Sequence, residues 1–187
     1  MNRIIVGIDE AGRGPLAGRV YAAAVILKDI KIEGLNDSKK LSEIKREKLY
    51  DNIIKNCIAY SIAFATQEEI DEINILQASM LAMRRTLDTM QEEYNYILVD
   101  GNKFPFTNKA GEAIVKGDTK IEEIMAASIL AKVSRDRYMV DMHLLYPEYE
   151  FNIHKGYPTK THRQCIETYG VCEIHRKTFK GVKEHLV

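Results

Sequence analysis

The sequence predicts a single α/β domain with its chemistry gathered at strand ends, and three observations carry that reading. Short β-rich apolar runs alternate with longer segments of helical periodicity along most of the chain. Three of those runs stop at or beside an aspartate: Asp9, Asp100 and Asp118. No repeat, low-complexity tract or linker composition interrupts the 187 residues, so 1–187 reads as one domain.

The first strand spans residues 3–9 and ends in Asp9-Glu10, followed by Gly12-Arg13-Gly14. Two adjacent carboxylates at the end of a buried strand are costly without a positive partner. Neighbouring strand residues point to opposite faces, so both acids serve one site only if the strand stops here. A divalent cation is the obvious partner, because hard cations take oxygen ligands. The glycines let the backbone turn and bring its amides close to a ligand. A second strand, Arg19 to Lys28, follows after a link short enough for antiparallel pairing.

Ser42 caps a helix to about residue 55, with Ile44, Leu49, Ile53 and Ile54 as its apolar face. A third strand runs from Ile58 to Ala65, and Thr66-x-x-Glu69 makes a capping box for a short helix. Asn74-x-x-Gln77 opens a longer one, where Leu76, Met80, Met83, Leu87 and Met90 form a buried stripe. A methionine-rich stripe also suits a partner groove, but core packing is the simpler reading. Tyr96 to Val99 is a fourth strand ending in Asp100-Gly101-Asn102, and Ala113 to Val115 a fifth ending in Lys116-Gly117-Asp118. Thr119-x-x-Glu122 is a further capping box, opening an almost wholly apolar helix over 120–138. Residues beyond Pro147 read as loop through Pro158, and Thr159 caps a last helix ending near Gly170.

If the first, fourth and fifth strands are parallel neighbours, Asp9, Glu10, Asp100 and Asp118 converge at their carboxyl ends, where α/β folds place their sites. Singly, an aspartate before glycine is ordinary turn chemistry. Together, the carboxylates repel and raise one another's pKa unless a cation joins them. The matching chemistry is two-metal phosphodiester cleavage.

Composition excludes several classes. No apolar run approaches the ~18 residues of a membrane span, and the N-terminus has neither signal nor transit character, so a cytoplasmic protein is expected. The three cysteines and five histidines lack zinc-ligand spacing. A formal net charge of zero counts against non-specific nucleic-acid binding, although local lysines and bound cations can supply positive potential.

In order along the chain, Asp9-Glu10-Ala11-Gly12-Arg13-Gly14-Pro15-Leu16-Ala17-Gly18, Asp37-Ser38-Lys39-Lys40-Leu41 and Asp100-Gly101-Asn102 resemble bacterial ribonuclease HII. So do Lys116-Gly117-Asp118, residues 126–133 with Arg135-Asp136, and His154-Lys155-Gly156-Tyr157-Pro158-Thr159. The resemblance implies an RNase H-like fold, a five-stranded mixed sheet flanked by helices, with a helical C-terminal extension. It implies Mg²⁺- or Mn²⁺-dependent endonucleolytic hydrolysis of RNA in RNA–DNA hybrids, with two ions in the active complex and 5′-phosphate and 3′-hydroxyl products. By the same resemblance, Asp9, Glu10, Asp100 and Asp118 hold the metals, and Gly12, Arg13 and Gly14 read the ribose 2′-hydroxyl. Tyr157 packs on the neighbouring deoxyribose, so that cutting 5′ to a single ribonucleotide embedded in duplex DNA becomes possible. Lys39 and Lys40 contact backbone phosphate. The roles of Ser128 and Lys132 stay open between packing and function. A monomer is expected, without a sliding-clamp-binding peptide. The rival readings are another RNase H-like nuclease, which needs no 2′-hydroxyl reader, and a non-catalytic hybrid-binding module, in which four acids facing a phosphate backbone would be unfavourable.

Overall fold

The computed structural model describes residues 3–36, 38–105 and 107–186; Asp37 of the Asp-Ser-Lys-Lys-Leu motif lies outside the described residues. Five strands form one mixed sheet: β1 (Ile5–Ala11), β2 (Val20–Leu27), β3 (Cys57–Ala65), β4 (Tyr96–Asp100) and β5 (Gly111–Ile114). Their order is β3-β2-β1-β4-β5. β1 pairs antiparallel with β2 and parallel with β4, and β4 runs parallel to β5. The expected parallel trio is present. Ile8 lies opposite Val99 and Asp100 opposite Ile114, so the acids after Ile8 and Val99 emerge at one level.

Helices cover both faces. Val6 and Ile8 point to one side, where Ala78, Ala82 and Met83 of α2 (Gln67–Thr89) close the core. On the other side, Ala23 and Val25 meet α1 (Glu43–Asn56) and α3 (Glu122–Leu145) through Leu49, Ile53, Ala127 and Leu130. A fully buried Ile or Leu of this kind contributes roughly 1.5–3 kcal/mol. Gly7 faces α3 so closely that a Cβ there would fall 2.4 Å from Glu123, which is why the middle of β1 carries no side chain. Beyond α3 lie the single turn α4 (Phe151–His154) and α5 (Lys160–Tyr169), which pack with the chain end against residues 16–18. Among the described residues no helix is long and apolar enough to cross a membrane, and all three cysteines are free thiols.

Several caps are as expected. Ser42 accepts from the Lys45 amide, Thr66 and Glu69 form the full capping box, and Thr159 accepts from the His162 amide. Asn74 breaks α2 at φ 68° and caps its second half through Oδ1, which accepts from the amides of Leu76 and Gln77.

Other expectations need correction. Thr119 does not cap α3: its hydroxyl bonds the Lys116 carbonyl inside a 3₁₀ turn, and the helix starts at Glu122 with no side-chain cap. α3 also runs on to Leu145, because its second half packs on the C-terminal segments through Met139. β5 begins at Gly111 and stops before Val115, which is exposed. Ile44 is exposed in the first turn of α1, so only Leu49, Ile53 and Ile54 of its supposed face reach the core. The 147–158 stretch is not all loop, since it holds a 3₁₀ turn (Pro147–Tyr149) and α4. The largest difference lies in β1, which continues through Asp9 and Glu10 to Ala11.

Candidate active site

Because β1 continues, Asp9 and Glu10 leave it on opposite faces. Asp9 turns toward α3, and Asp100 and Asp118 join it there from the end of β4 and the 3₁₀ turn Gly117–Thr119. One carboxylate oxygen from each of Asp9, Asp100 and Asp118 lies within 4.8 Å of the others. The Asp118 amide donates to Asp100 Oδ1 at 3.3 Å, which ties the two strand ends together. Three hard oxygen donors at this spacing fit a divalent cation. Glu10 stands beside the trio, its Oε1 accepting from Arg13 Nη1 at 3.3 Å.

The electrostatics are those of crowded acids drawn out of water. Burial, then the charges of Glu10 and Asp100, hold the Asp9 carboxyl well above the usual range. A hydrogen bond from Ser128 and one from the Glu10 amide, at 2.7 Å, offset this in part. Glu10 is also raised, chiefly by burial, against the opposing pull of Arg13. Lys39 Nζ donates to Asp118 Oδ2 at 3.1 Å, placing an exposed lysine on a buried acid.

Asp9 and Asp100 of the trio open onto a cavity of about 250 Å³, lined also by Glu10, the loop Gly12-Arg13-Gly14, Ser38 and Lys39, Ser128 and Lys132, and Tyr157. The Tyr157 ring lies against Gly14 and is 38% exposed at the rim. The Lys132 ammonium and the Arg135 guanidinium stand 5.6 and 5.7 Å from its centroid.

A family model described as ribonuclease HII matches residues 6–182. The chain belongs to the ribonuclease HII family. It is 55% identical over 181 residues to the ribonuclease HII of Francisella tularensis subsp. tularensis strain SCHU S4, covering 96% of this chain and 97% of that one. Among solved structures it resembles the ribonuclease H2 of Pyrococcus horikoshii OT3, with TM-score 0.80, 29% identity and coverage of 96% and 95% of the two chains. It also resembles a chain from the PCNA:RNase HII complex of Archaeoglobus fulgidus, with TM-score 0.76, 27% identity and 95% coverage of each. The five-stranded mixed sheet flanked by helices is therefore an RNase H-like fold. Membership makes the protein a ribonuclease H, an endonucleolytic hydrolase of RNA–DNA hybrids.

Against this ribonuclease HII frame, the structure gathers nearly every residue singled out in the sequence. Asp9, Asp100 and Asp118 form the cluster, and Glu10, Gly12, Arg13, Gly14, Lys39 and Tyr157 line the same cavity. Lys40 is exposed and does not line it. Ser128 gains a definite place. Its hydroxyl bonds Ser38 Oγ at 2.8 Å and also bonds Asp9, so it links the Ser38–Lys40 turn to the first acid. Lys132 reaches Asp136 Oδ1 at 2.7 Å.

Two functional supports escape sequence reasoning: the arginines Arg135 and Arg176, both fully buried. Arg135 donates to the carbonyls of Ala17, Arg19 and Lys155, and Arg176 to those of Gly12, Arg13, Pro15, Gly18 and Arg19. The acids beside them in sequence, Asp136 and Glu173, bond Lys132 and Tyr146 instead, so nothing local signals the burial of either guanidinium. Arg176 reads instead as one cation in a basic tail.

Proposed function

We propose that this cavity cuts the RNA strand of hybrids and also cleaves 5′ to a single ribonucleotide embedded in duplex DNA. The observation that carries the reading is the meeting, on one cavity, of the Asp9-Asp100-Asp118 trio with the Gly12-Arg13-Gly14 loop and Tyr157. Asp9, Asp100 and Asp118 would hold divalent ions, Mg²⁺ or Mn²⁺, with Glu10 beside them as the fourth acid; a pair of ions is the expected complement. When bound, the ions supply activation of water and charge stabilisation of the leaving oxygen.

The chain's own residues do the selection. Gly12 permits close approach at φ +100°, and among the described residues the amides of Arg13 and Gly14 donate no hydrogen bond, so both are available to a ribose 2′-hydroxyl. A site that bonds that oxygen rejects deoxyribose strongly, because its polar groups would otherwise stay unpaired. Tyr157 at the rim presents its ring to the next sugar, where a 2′-hydroxyl would crowd it. Lys39 and Lys40 supply phosphate contacts in this reading, with Lys39 leaving Asp118 as the ions bind. Water displaces the 3′-oxygen from phosphorus, leaving a 3′-hydroxyl on the preceding nucleotide and a 5′-phosphate on the ribonucleotide. The enzyme acts as a cytoplasmic monomer, a single catalytic domain whose C-terminal segments extend the core.

The test is a duplex with one embedded ribonucleotide, assayed with Mg²⁺ and with chelator and compared with an all-DNA duplex. Cleavage 5′ to the ribonucleotide, only with metal and only in the ribonucleotide-bearing strand, is expected. Cleavage of the all-DNA duplex at a similar rate would replace this reading with that of a general nuclease.

A further inference from the structure

Residues 174–176 run antiparallel to residues 16–18. The Gly18 amide donates to the Ile174 carbonyl, Ala17 pairs with His175, and the Arg176 amide donates to the Leu16 carbonyl. From this short pairing two adjacent side chains reach in different directions, each to one of the elements that the proposed function assigns to substrate reading.

Arg176 reaches the glycine loop. Its Nη2 donates to the Gly12 carbonyl at 2.6 Å, and its Nη1 to those of Arg13 at 3.0 Å and Pro15 at 2.7 Å. Carbonyl and following N–H point in opposite directions across a planar trans peptide. Drawing the carbonyls of Gly12 and Arg13 onto the guanidinium therefore turns the amides of Arg13 and Gly14 away from it. Among the described residues those two amides donate to no internal partner. Burial and the nearby charge of Arg135 push the Arg176 guanidinium down to about 9, so it is still a full cation at neutral pH, solvated by main-chain oxygens.

His175 reaches the tyrosine loop. Its Nδ1 accepts from the Cys172 amide at 2.9 Å, which leaves its Nε2–H to donate to His162 Nε2 at 3.1 Å. The proton of His162 must then sit on Nδ1, which donates to the Tyr157 carbonyl at 3.0 Å. Both rings are buried, and the relay has a single direction. Its other end is the residue whose ring sits at the cavity rim.

We infer that His175-Arg176 is a two-armed brace that sets ribonucleotide selectivity, Arg176 as positioning residue for the 2′-hydroxyl-reading amides and His175, through His162, for Tyr157. The inference rests on the proposed reading of that loop and that ring. It assigns a specificity role to the chain's C-terminal segment, more than 150 residues away in sequence from the loop it shapes.

The experiment measures kcat/KM on a duplex with one embedded ribonucleotide and on a continuous hybrid, with binding to an all-DNA duplex and thermal melting as controls. Arg176→Lys keeps the charge but has too few donors, and too compact a head, for the carbonyl set. It is expected to lose about tenfold or more on both substrates, with all-DNA binding within about twofold of wild type. His175→Asn keeps an acceptor near the Cys172 amide but is too short to reach His162. Its loss on the single-ribonucleotide duplex should exceed that on the hybrid by about tenfold. His175→Gln, which restores a donor toward His162, should recover most of that difference. No loss by Arg176→Lys on either substrate, or equal losses by His175→Asn on the two substrates, would overturn the brace. If Arg176→Lys fails to fold, the His175→Asn and His175→Gln pair decides alone. Gly12→Ala and Tyr157→Ala are run beside them. If these two lack the matching pattern, the assignment of loop and ring is what fails. If they show it and the brace variants do not, the brace fails.

Discussion

A Cβ at Gly12 would fall 2.1 Å from Arg135 Nε, so the turn after β1 and the buried arginine of α3 share a contact that only glycine permits. The positive φ of +100° adds backbone strain for any other residue. Gly12→Ala should therefore lower kcat/KM by about 10²-fold on both the hybrid and the single-ribonucleotide duplex, since both present the 2′-hydroxyl at the scissile position. It should also destabilise the protein by about 1–3 kcal/mol, read by denaturant melting. Unchanged turnover on either duplex would remove the loop from ribose reading.

Tyr157 gives a different signature. Its ring stands at the rim against Gly14, outside the acid trio. Tyr157→Ala should cut the single-ribonucleotide duplex at least about tenfold less efficiently while losing less on a long hybrid, where the next sugar is ribose. Comparing kcat/KM on the two duplexes measures this directly. Equal losses would return the ring to a packing role.

Lys39 rests on Asp118 at 3.1 Å and Lys40 is exposed, so both are within reach of a backbone passing the cavity. Lys39→Ala combined with Lys40→Ala should weaken binding by similar factors for different base sequences. It should also lower the steepness of log K against log salt by about two. Filter binding across salt concentrations in Ca²⁺ provides the slope. A loss restricted to certain sequences would assign the lysines to base contact.

Stability should fall on the acid side of neutrality. Burial, with the neighbouring His154 among the lesser causes, pushes His162 down to about 3 and His175 down to about 4, against an ordinary 6.5. In the folded state both are neutral, whereas the unfolded chain takes up protons below about pH 6.5. Their contribution is complete above that pH and is lost as pH drops from 6.5 toward 4, on the order of 3 kcal/mol for each ring over the window. His154, stacked 4.4 Å from His162, adds to the same trend, since burial lowers it as well. Denaturant melts of the metal-free protein and of His175→Gln at several pH values would show it, the difference between the two removing the opposite trend of the raised Asp9 and Glu10 carboxyls. A difference that stays flat between pH 7 and pH 5 would mean that the ring carries charge in the fold.

Much of this site was legible because local rules and tertiary structure agree. Apolar runs ending in Asp9, Asp100 and Asp118 announced strand ends, and the parallel order of β1, β4 and β5 then brought those ends together. Glu10 lines the cavity, although not by way of the strand end that the sequence suggests. Pairing with β2 carries β1 on to Ala11 and turns Glu10 to the other face. Thr119 matched a capping pattern, yet the tight turn that presents Asp118 takes its hydroxyl for the Lys116 carbonyl. Arg176 was invisible for a different reason. A buried cation solvated by main-chain carbonyls leaves no mark in residue types, because every residue has a carbonyl.

The central claim is that the acid trio at the strand ends is the catalytic metal site, and Asp9→Asn tests it most directly. The substitution keeps the shape of Asp9 and removes the charge that burial and the neighbouring acids oppose. In the metal-free fold, Asp9 ionises only at a raised pKa, so its contribution to stability is lost as pH rises through that range, and the amide relieves the penalty at neutral pH. Under saturating Mg²⁺, single-turnover cleavage of the single-ribonucleotide duplex should fall by about 10³-fold or more. The chelator-treated variant should melt no lower than wild type. Near-normal cleavage by a folded Asp9→Asn protein would contradict the account.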